Sequence, residues 1–418
     1  MPALGTLAAD PLLSLADTAF VARLGTVPLA ALGIDTALFS FAFFAFNFLA
    51  YATTPMVARR LGSGDRAGAG RVVIQALYLA IILGSLSAIA LALAAEQLVG
   101  LMQATPELVD PAASYLRIRA MAAPAMLLVT AGHGSFRGFQ DTRTPLVITL
   151  AVNLINLALD PLLIFGAGWG LEGAAVATVA AQWIGAAWFV ALLVRRGRRS
   201  GWVWGRPRLG ELAPMLATGG VLTLRTLFLT STLTVAAAVA ASLGAPQVAA
   251  HQVVAQTWFL LAMIVDALAI AAQALVADEL GRSDRAGAAA VAARLRVWGL
   301  GVGVFLAAVL VAIRHPLAAA FGPDPEVASL IDAATVVAAA MQPVAALAFV
   351  ADGVFLGLLR VRYLAYSTAA GAVAGGAVLG ATLLLGWGLL GVWWAIAAMV
   401  TARLAVLSLA YPRALAAA

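Results

Sequence analysis

The chain has 418 residues, of which 63% are hydrophobic and 11% charged, with a formal net charge of +6. A soluble domain is about a quarter charged, and a single water-soluble core stops growing at roughly 250–300 residues, so this surplus of apolar side chains needs lipid as its solvent. That excludes a cytosolic enzyme, a nucleic-acid-binding module, a disordered chain and a secreted disulfide scaffold, the last also because cysteine is absent.

A membrane helix needs about 20 apolar residues. Twelve such runs lie between Arg, Gly and Pro punctuation: 3–23, 31–57, 72–98, 112–136, 145–166, 171–194, 212–241, 246–276, 297–313, 329–358, 363–385 and 388–411. The expected fold is an all-α polytopic membrane protein. Met1 begins almost inside the first run, without a basic leader, so no cleaved signal peptide is expected.

All 25 basic residues are Arg. Nineteen fall in the second, fourth, sixth, eighth and tenth connections and the C-terminus; at most four, Arg23, Arg117, Arg119 and Arg314, fall on the opposite side. The positive-inside rule then places both termini in the cytoplasm, which requires an even number of spans. Arg225 and Arg403 lie within spans, and Arg225, near the start of its span, is expected to snorkel to the surface.

Residues 61–70 read LGSGDRAGAG and residues 280–289 read LGRSDRAGAA. The same offset of 219 carries Leu24-Gly25 to Leu243-Gly244, Pro124 to Pro343, Gly134 to Gly353 and Gly138 to Gly357; after one deletion, 218 carries Gly168-Trp169-Gly170 to Gly386-Trp387-Gly388. The chain therefore divides into a six-helix lobe (1–194), an Arg-rich cytoplasmic linker (195–211) and a second six-helix lobe (212–418). Six is even, so both halves enter the membrane alike and their pseudo-twofold axis runs along its normal, a transporter architecture.

Charges at the bilayer centre cost about 2.5–3.5 kcal/mol on insertion scales, which makes intramembrane acids functional candidates. Asp17 lies in the first span and Asp160 in the fifth. On a helical wheel Asn153, Asn156 and Asp160 share one stripe about 60° wide. Asp160 and Thr178 each lie nine residues from Trp169 in the turn between spans five and six, about 14 Å of helix rise, and Asp17 reaches a similar depth. Asp17, Asn156, Asp160 and Thr178 are thus expected to line one polar cavity and couple transport to a cation. A network that only fastens helices is the competing reading, but two acids without a basic partner make a poor fastener.

Asn47 and His133 are further cavity candidates in the first lobe, His133 being as readily a packing element. The second lobe differs: the offset takes Asn47 to Asp266, His133 to Asp352 and Asp17 to Ala236. Asp266, Asp352 and Gln256 are its candidates for substrate binding or a second site. The glycines of GAVAGGAVLG (371–380) and GLGVGVFL (299–306) read as close helix packing, and Pro2 and Pro11 allow the first helix to bend. Walker A, HExxH and GxSxG motifs are missing, so the protein is expected to be no enzyme, without cofactor or resident metal, and driven by an ion gradient.

Several segments carry a family resemblance over nearly the whole chain: LADTAFVARLGTVPLAALG (15–33), LGSGDRAGAG (61–70), RGFQDTRTPL (137–146), NLINLALDPLLIF (153–165) and AAHQVVAQTWFLLAMIVDALAIAAQALV (249–276). Through them the sequence resembles the multidrug and toxic compound extrusion (MATE) transporters, in their DinF-like branch. The resemblance implies a V-shaped pair of six-helix lobes in a bacterial inner membrane. It implies a monomer that exports organic, often cationic, small molecules in exchange for protons or sodium. It also implies a cation site at Asp17, Asn156, Asp160 and Thr178, and a bend of helix 1 at Pro2. His133 stands where relatives carry Asn. A lipid-linked precursor flippase of the same superfamily is the alternative, and it would want a basic cavity.

Overall fold

A computed structural model describes residues 17–102, 106–321 and 324–416. The described residues are predominantly helical, without strands. In chain order they form α1 (17–22), α2 (Thr26–Phe44), a 3-10 turn (Ala45–Asn47), α3 (Phe48–Gly62), α4 (Arg66–Leu93), α5 (Ala95–Leu101), α6 (Pro106–Ala120) and α7 (Ala123–Gly138). Then come α8 (Arg143–Pro161), a π turn (Leu162–Gly166), α9 (Gly170–Arg199), α10 (Leu209–Ser242), α11 (Ala245–Gly281), α12 (Arg285–Phe321), α13 (Pro325–Gly357), α14 (Val361–Leu385) and α15 (Gly388–Ala416). Among the described residues nine helices are long and apolar enough to cross a membrane, and α6 with α7 makes a tenth, bent by 47°. Their outer faces are apolar: Leu384 is 86% exposed and Leu409 80%, a surface that only lipid stabilises. Pro2 and Pro11 lie outside the described residues.

Several helices start earlier than their apolar runs. Asp65 accepts the Gly68 N–H at 2.7 Å, and Asp284 accepts that of Gly287 at 2.7 Å. Each N-cap satisfies a donor that the first turn leaves over, so α4 and α12 extend through Arg66 and Arg285 rather than beginning at 72 and 297. Run 31–57 is interrupted by the 3-10 turn at Ala45–Asn47. Run 112–136 breaks where Pro124, at the first turn of α7, has no N–H to continue α6. The indole of Trp183 donates to the Met121 carbonyl at this bend, at 3.1 Å.

The chain forms two compact units, residues 1–219 and 220–418, divided inside α10. The Arg-rich segment is partly built into the first unit: Arg195–Arg199 complete α9, and Trp202 is buried against Gly70.

The repeat extends to internal packing. A Cβ on Gly134 would lie 2.9 Å from Ala50 Cα, and one on Gly353 would lie 2.7 Å from Ala269 Cα. Gly138 meets Val57 Cβ at 2.7 Å and Gly357 meets Val276 Cβ at 2.9 Å; Gly84 meets Pro124 Cα at 2.4 Å and Gly303 meets Pro343 Cα at 2.7 Å. Both partners in every pair are related by 219. Left-handed backbone recurs at the same spacing in Gly25 and Gly244 (φ 117° and 128°) and in Gln140 and Leu359 (φ 59° and 56°). Gly371 and Gly375 are closely packed, as are Gly299 and Gly303, whereas Gly376, Gly380 and Gly301 face open space.

Candidate functional site in the first unit

Asn156 and Asp160 lie one turn apart on α8, and the Asn156 amide donates to Asp160 Oδ1 at 3.1 Å. Both are buried. Asp160 is the last residue before Pro161, which cannot donate to the carbonyl one turn back, and the chain continues as the π turn. That turn packs on Gly173 of α9, where a Cβ would lie 2.8 Å from the Leu163 backbone. An apolar cluster of Val21, Leu32, Tyr115, Ile164, Ala174 and Ala175 ties α1, α2, α6 and α9 together around the turn. The carboxyl of Asp17, on α1, faces that of Asp160 closely enough for the two to interact. Asp17 Oδ1 and Asp160 Oδ2 are buried without a donor, so this pair has room for one more positive charge.

In front of the acids lies a cavity of about 340 Å³, bordered by Asp17, Asp35, Asn47, Tyr115, Arg119 and Thr178, with Phe39 and Phe43 on its apolar wall. Of the sequence candidates, Asp17, Thr178 and Asn47 line it; Asn156 and Asp160 stand behind Asp17. Thr178 Oγ1 donates to Ala174 O at 3.0 Å, which leaves its lone pairs available. His133 and Asn153 do not line the cavity. The His133 ring lies 3.2 Å from Thr149 Oγ1 and meets Phe189 edge-on, because its face of α7 turns toward α8 and α9.

Sequence reading missed two lining charges. Asp35 was hidden inside an apolar run, and Arg119 was assigned to an outer connection. Arg119 instead ends α6 at the bend, its Nε 3.7 Å from Asp35 Oδ2. The first unit therefore does hold a basic partner beside its acids, and only the spacing of Arg119 from a turn, not its charge, could have pointed inward.

Among its described residues the second unit has no counterpart of Asp17, Asp35, Tyr115 and Arg119. The 219 offset carries Asp17, Asp35, Tyr115 and Arg119 to Ala236, Val254, Ala334 and Ala338, all members of one buried apolar core. Its own charges gather elsewhere: Asp352 Oδ2 accepts hydrogen bonds from Arg225 and from Arg403, the latter at 2.5 Å. Arg225 is thus held inward by an acid rather than snorkelling. Asp266 is half-buried and Gln256 exposed on α11. A smaller cavity of about 140 Å³, bordered by Arg296, Ala351, Phe355 and Ser408, includes none of the three candidates.

A multi-span helical chain with a buried acid pair beside a polar cavity defines a membrane transporter rather than an enzyme. The MatE family profile matches residues 2–162 and 222–382, and the chain belongs to this family. It is 37% identical to Protein DETOXIFICATION 44, chloroplastic, of Arabidopsis thaliana, over 88% of this chain and 72% of that protein. It is 29% identical to the multidrug resistance protein PmpM of Pseudomonas aeruginosa, over 83% and 74%. It is 28% identical to the DNA damage-inducible protein F of Escherichia coli, over 66% and 61%. The fold matches a crystal structure of MATE in the bent conformation with a TM-score of 0.91 at 22% identity, over 100% of this chain and 94% of that one. A MATE structure in the straight conformation gives 0.88 at 22%, with the same coverage.

Proposed function

We propose that the protein is a secondary active multidrug efflux antiporter that exports organic, often cationic, compounds in exchange for protons or sodium by alternating access. In this reading twelve spans form two lobes in a bacterial inner membrane, with both termini cytoplasmic. Asp17, Asn156, Asp160 and Thr178 form the coupling site. The observation that carries it is the facing carboxyl pair of Asp17 and Asp160, whose remaining buried oxygens lack a donor. A proton or sodium ion there supplies the missing positive charge, and its arrival and departure change what the cavity in front can hold. The name of PmpM, a multidrug resistance protein, supports the substrate class. Of the arginines that a flippase would present to phosphate, Arg225 and Arg403 are engaged by Asp352, and Arg119 shares the cavity with two acids, Asp17 and Asp35; a lining with more acid than base favours the antiporter.

Everted vesicles test the reading. A dye substrate should collapse a preset proton or sodium gradient with the wild-type chain. Asp17→Asn and Asp160→Asn should reach the membrane at wild-type level yet abolish the response; unchanged efflux in both variants refutes it.

A further inference from the structure

Beside Asp17 and Asp160 the first unit buries a third acid, one that the coupling set does not use. Asp35 on α2 has 1% of its side chain exposed, borders the cavity and leaves its Oδ1 without a hydrogen-bond partner. Its countercharge, Arg119, stops 3.7 Å away, beyond the roughly 2.7–3.2 Å of an N–H···O bond. Arg119 Nε and Nη1 are themselves buried without partners, and the guanidinium sits 4.8 Å from the Phe39 ring centroid. Asp352 in the second unit shows the closed arrangement by contrast, with two guanidiniums hydrogen-bonded to one oxygen. A buried carboxylate needs a positive partner; that of Asp35 is present but not locked.

We propose that Asp35 is a second cation-binding carboxylate of the cavity, taking the charged group of an organic cation, and that Arg119 is its resident counter-ion, displaced when that cation binds. This rests on the antiporter reading and divides its labour: Asp17 and Asp160 hold the coupling ion, and Asp35 holds the substrate's charge. The wall beside Asp35 suits an aromatic cation, since Phe39 and Phe43 stack at 4.7 Å and present ring surface to the cavity. The pair is not demanded by the helix packing shared between the units, because Val254 and Ala338 occupy the equivalent places as buried apolar residues.

The test is equilibrium binding of ethidium, a permanently charged aromatic cation, to the full-length chain in detergent at pH 8. Arg119→Gln removes the competitor and should tighten binding about tenfold, while Asp35→Asn should weaken it about tenfold, in line with the cost of like-charge juxtaposition and of a lost charge partner. Asp35→Asn/Arg119→Gln removes both buried charges together, so it stays informative even where a single variant fails to fold, and it should bind as weakly as Asp35→Asn. Binding that Arg119→Gln leaves unchanged or weaker, or a double variant as tight as wild type, overturns the assignment. Ethidium binding lost in Asp17→Asn but indifferent to Asp35→Asn overturns it alone. Binding by no form of the chain, wild type included, overturns the antiporter reading with it.

Discussion

Gly353 approaches Ala269 so closely that a methyl group added there would lie 2.2 Å from the Ala269 carbonyl oxygen. Helices α13 and α11 meet through this contact, and α7 meets α3 through its repeat equivalent, Gly134 on Ala50. In lipid, helix association depends on such close backbone approach, because hydrocarbon gives no hydrophobic drive between helices.

Gly353→Ala should therefore lower stability by about 1–3 kcal/mol, the usual cost of overpacking, read as a fall in the melting temperature of the purified protein. Gly376→Ala is the matched control: open space surrounds that glycine, and alanine there should be neutral or stabilise α14 by up to about 1 kcal/mol.

Arg403→Leu should destabilise the second unit by about 3–5 kcal/mol, because it breaks a buried ion pair and leaves the Asp352 carboxylate with less compensation. The triple variant Arg225→Met/Asp352→Leu/Arg403→Leu removes every charge of the cluster and should recover most of the loss. Thermal unfolding of the three chains side by side decides it; a triple variant no better than Arg403→Leu would show that the cluster does more than neutralise itself.

Asn156→Ala should slow transport about tenfold or more without preventing membrane insertion. The variant deletes the amide that donates to Asp160 Oδ1, and a hydrogen bond to a charged group contributes about 1.5–3 kcal/mol. Initial efflux rates at matched protein level measure the effect.

Asp65→Ala should lower the melting temperature at neutral pH by uncapping α4. The Gly68 N–H, and then Arg60 and Arg71, hold the Asp65 carboxyl below its ordinary value. A depressed carboxyl contributes stability above the unfolded value of about 3.9 and loses it as pH falls through the lower folded value. The gap between wild type and variant should thus be constant from about pH 8 to 5 and close only below about pH 4. A gap that closes near neutrality would contradict the capping role.

The parts of the fold that were legible in the sequence are those set by short-range spacing. Asn156 and Asp160 are one turn apart, so a helical wheel already faces them together. The glycines and caps of the two halves keep one offset because each marks the same packing contact twice. Helix ends were misplaced where a polar first turn, begun by Asp65 or Asp284, extends beyond the apolar run. Long-range pairing was invisible: Arg225 and Asp352 are 127 residues apart, and nothing local to either announces the other. Arg119 shows the same limit, since a charge near the end of an apolar run reads alike whether the helix stops in water or bends over a cavity.

The two units share a packing plan, yet the positions of Asp17, Asp35, Phe39, Tyr115 and Arg119 around the hollow of the first hold Ala, Val, Trp, Ala and Ala in the buried core of the second. The polar site is therefore a matter of side-chain choice rather than of topology, and the duplication does not carry it twice. Among the described residues a ligand of this cavity meets one copy per chain, so saturation should be reached at a ratio of one to one despite the internal twofold repeat.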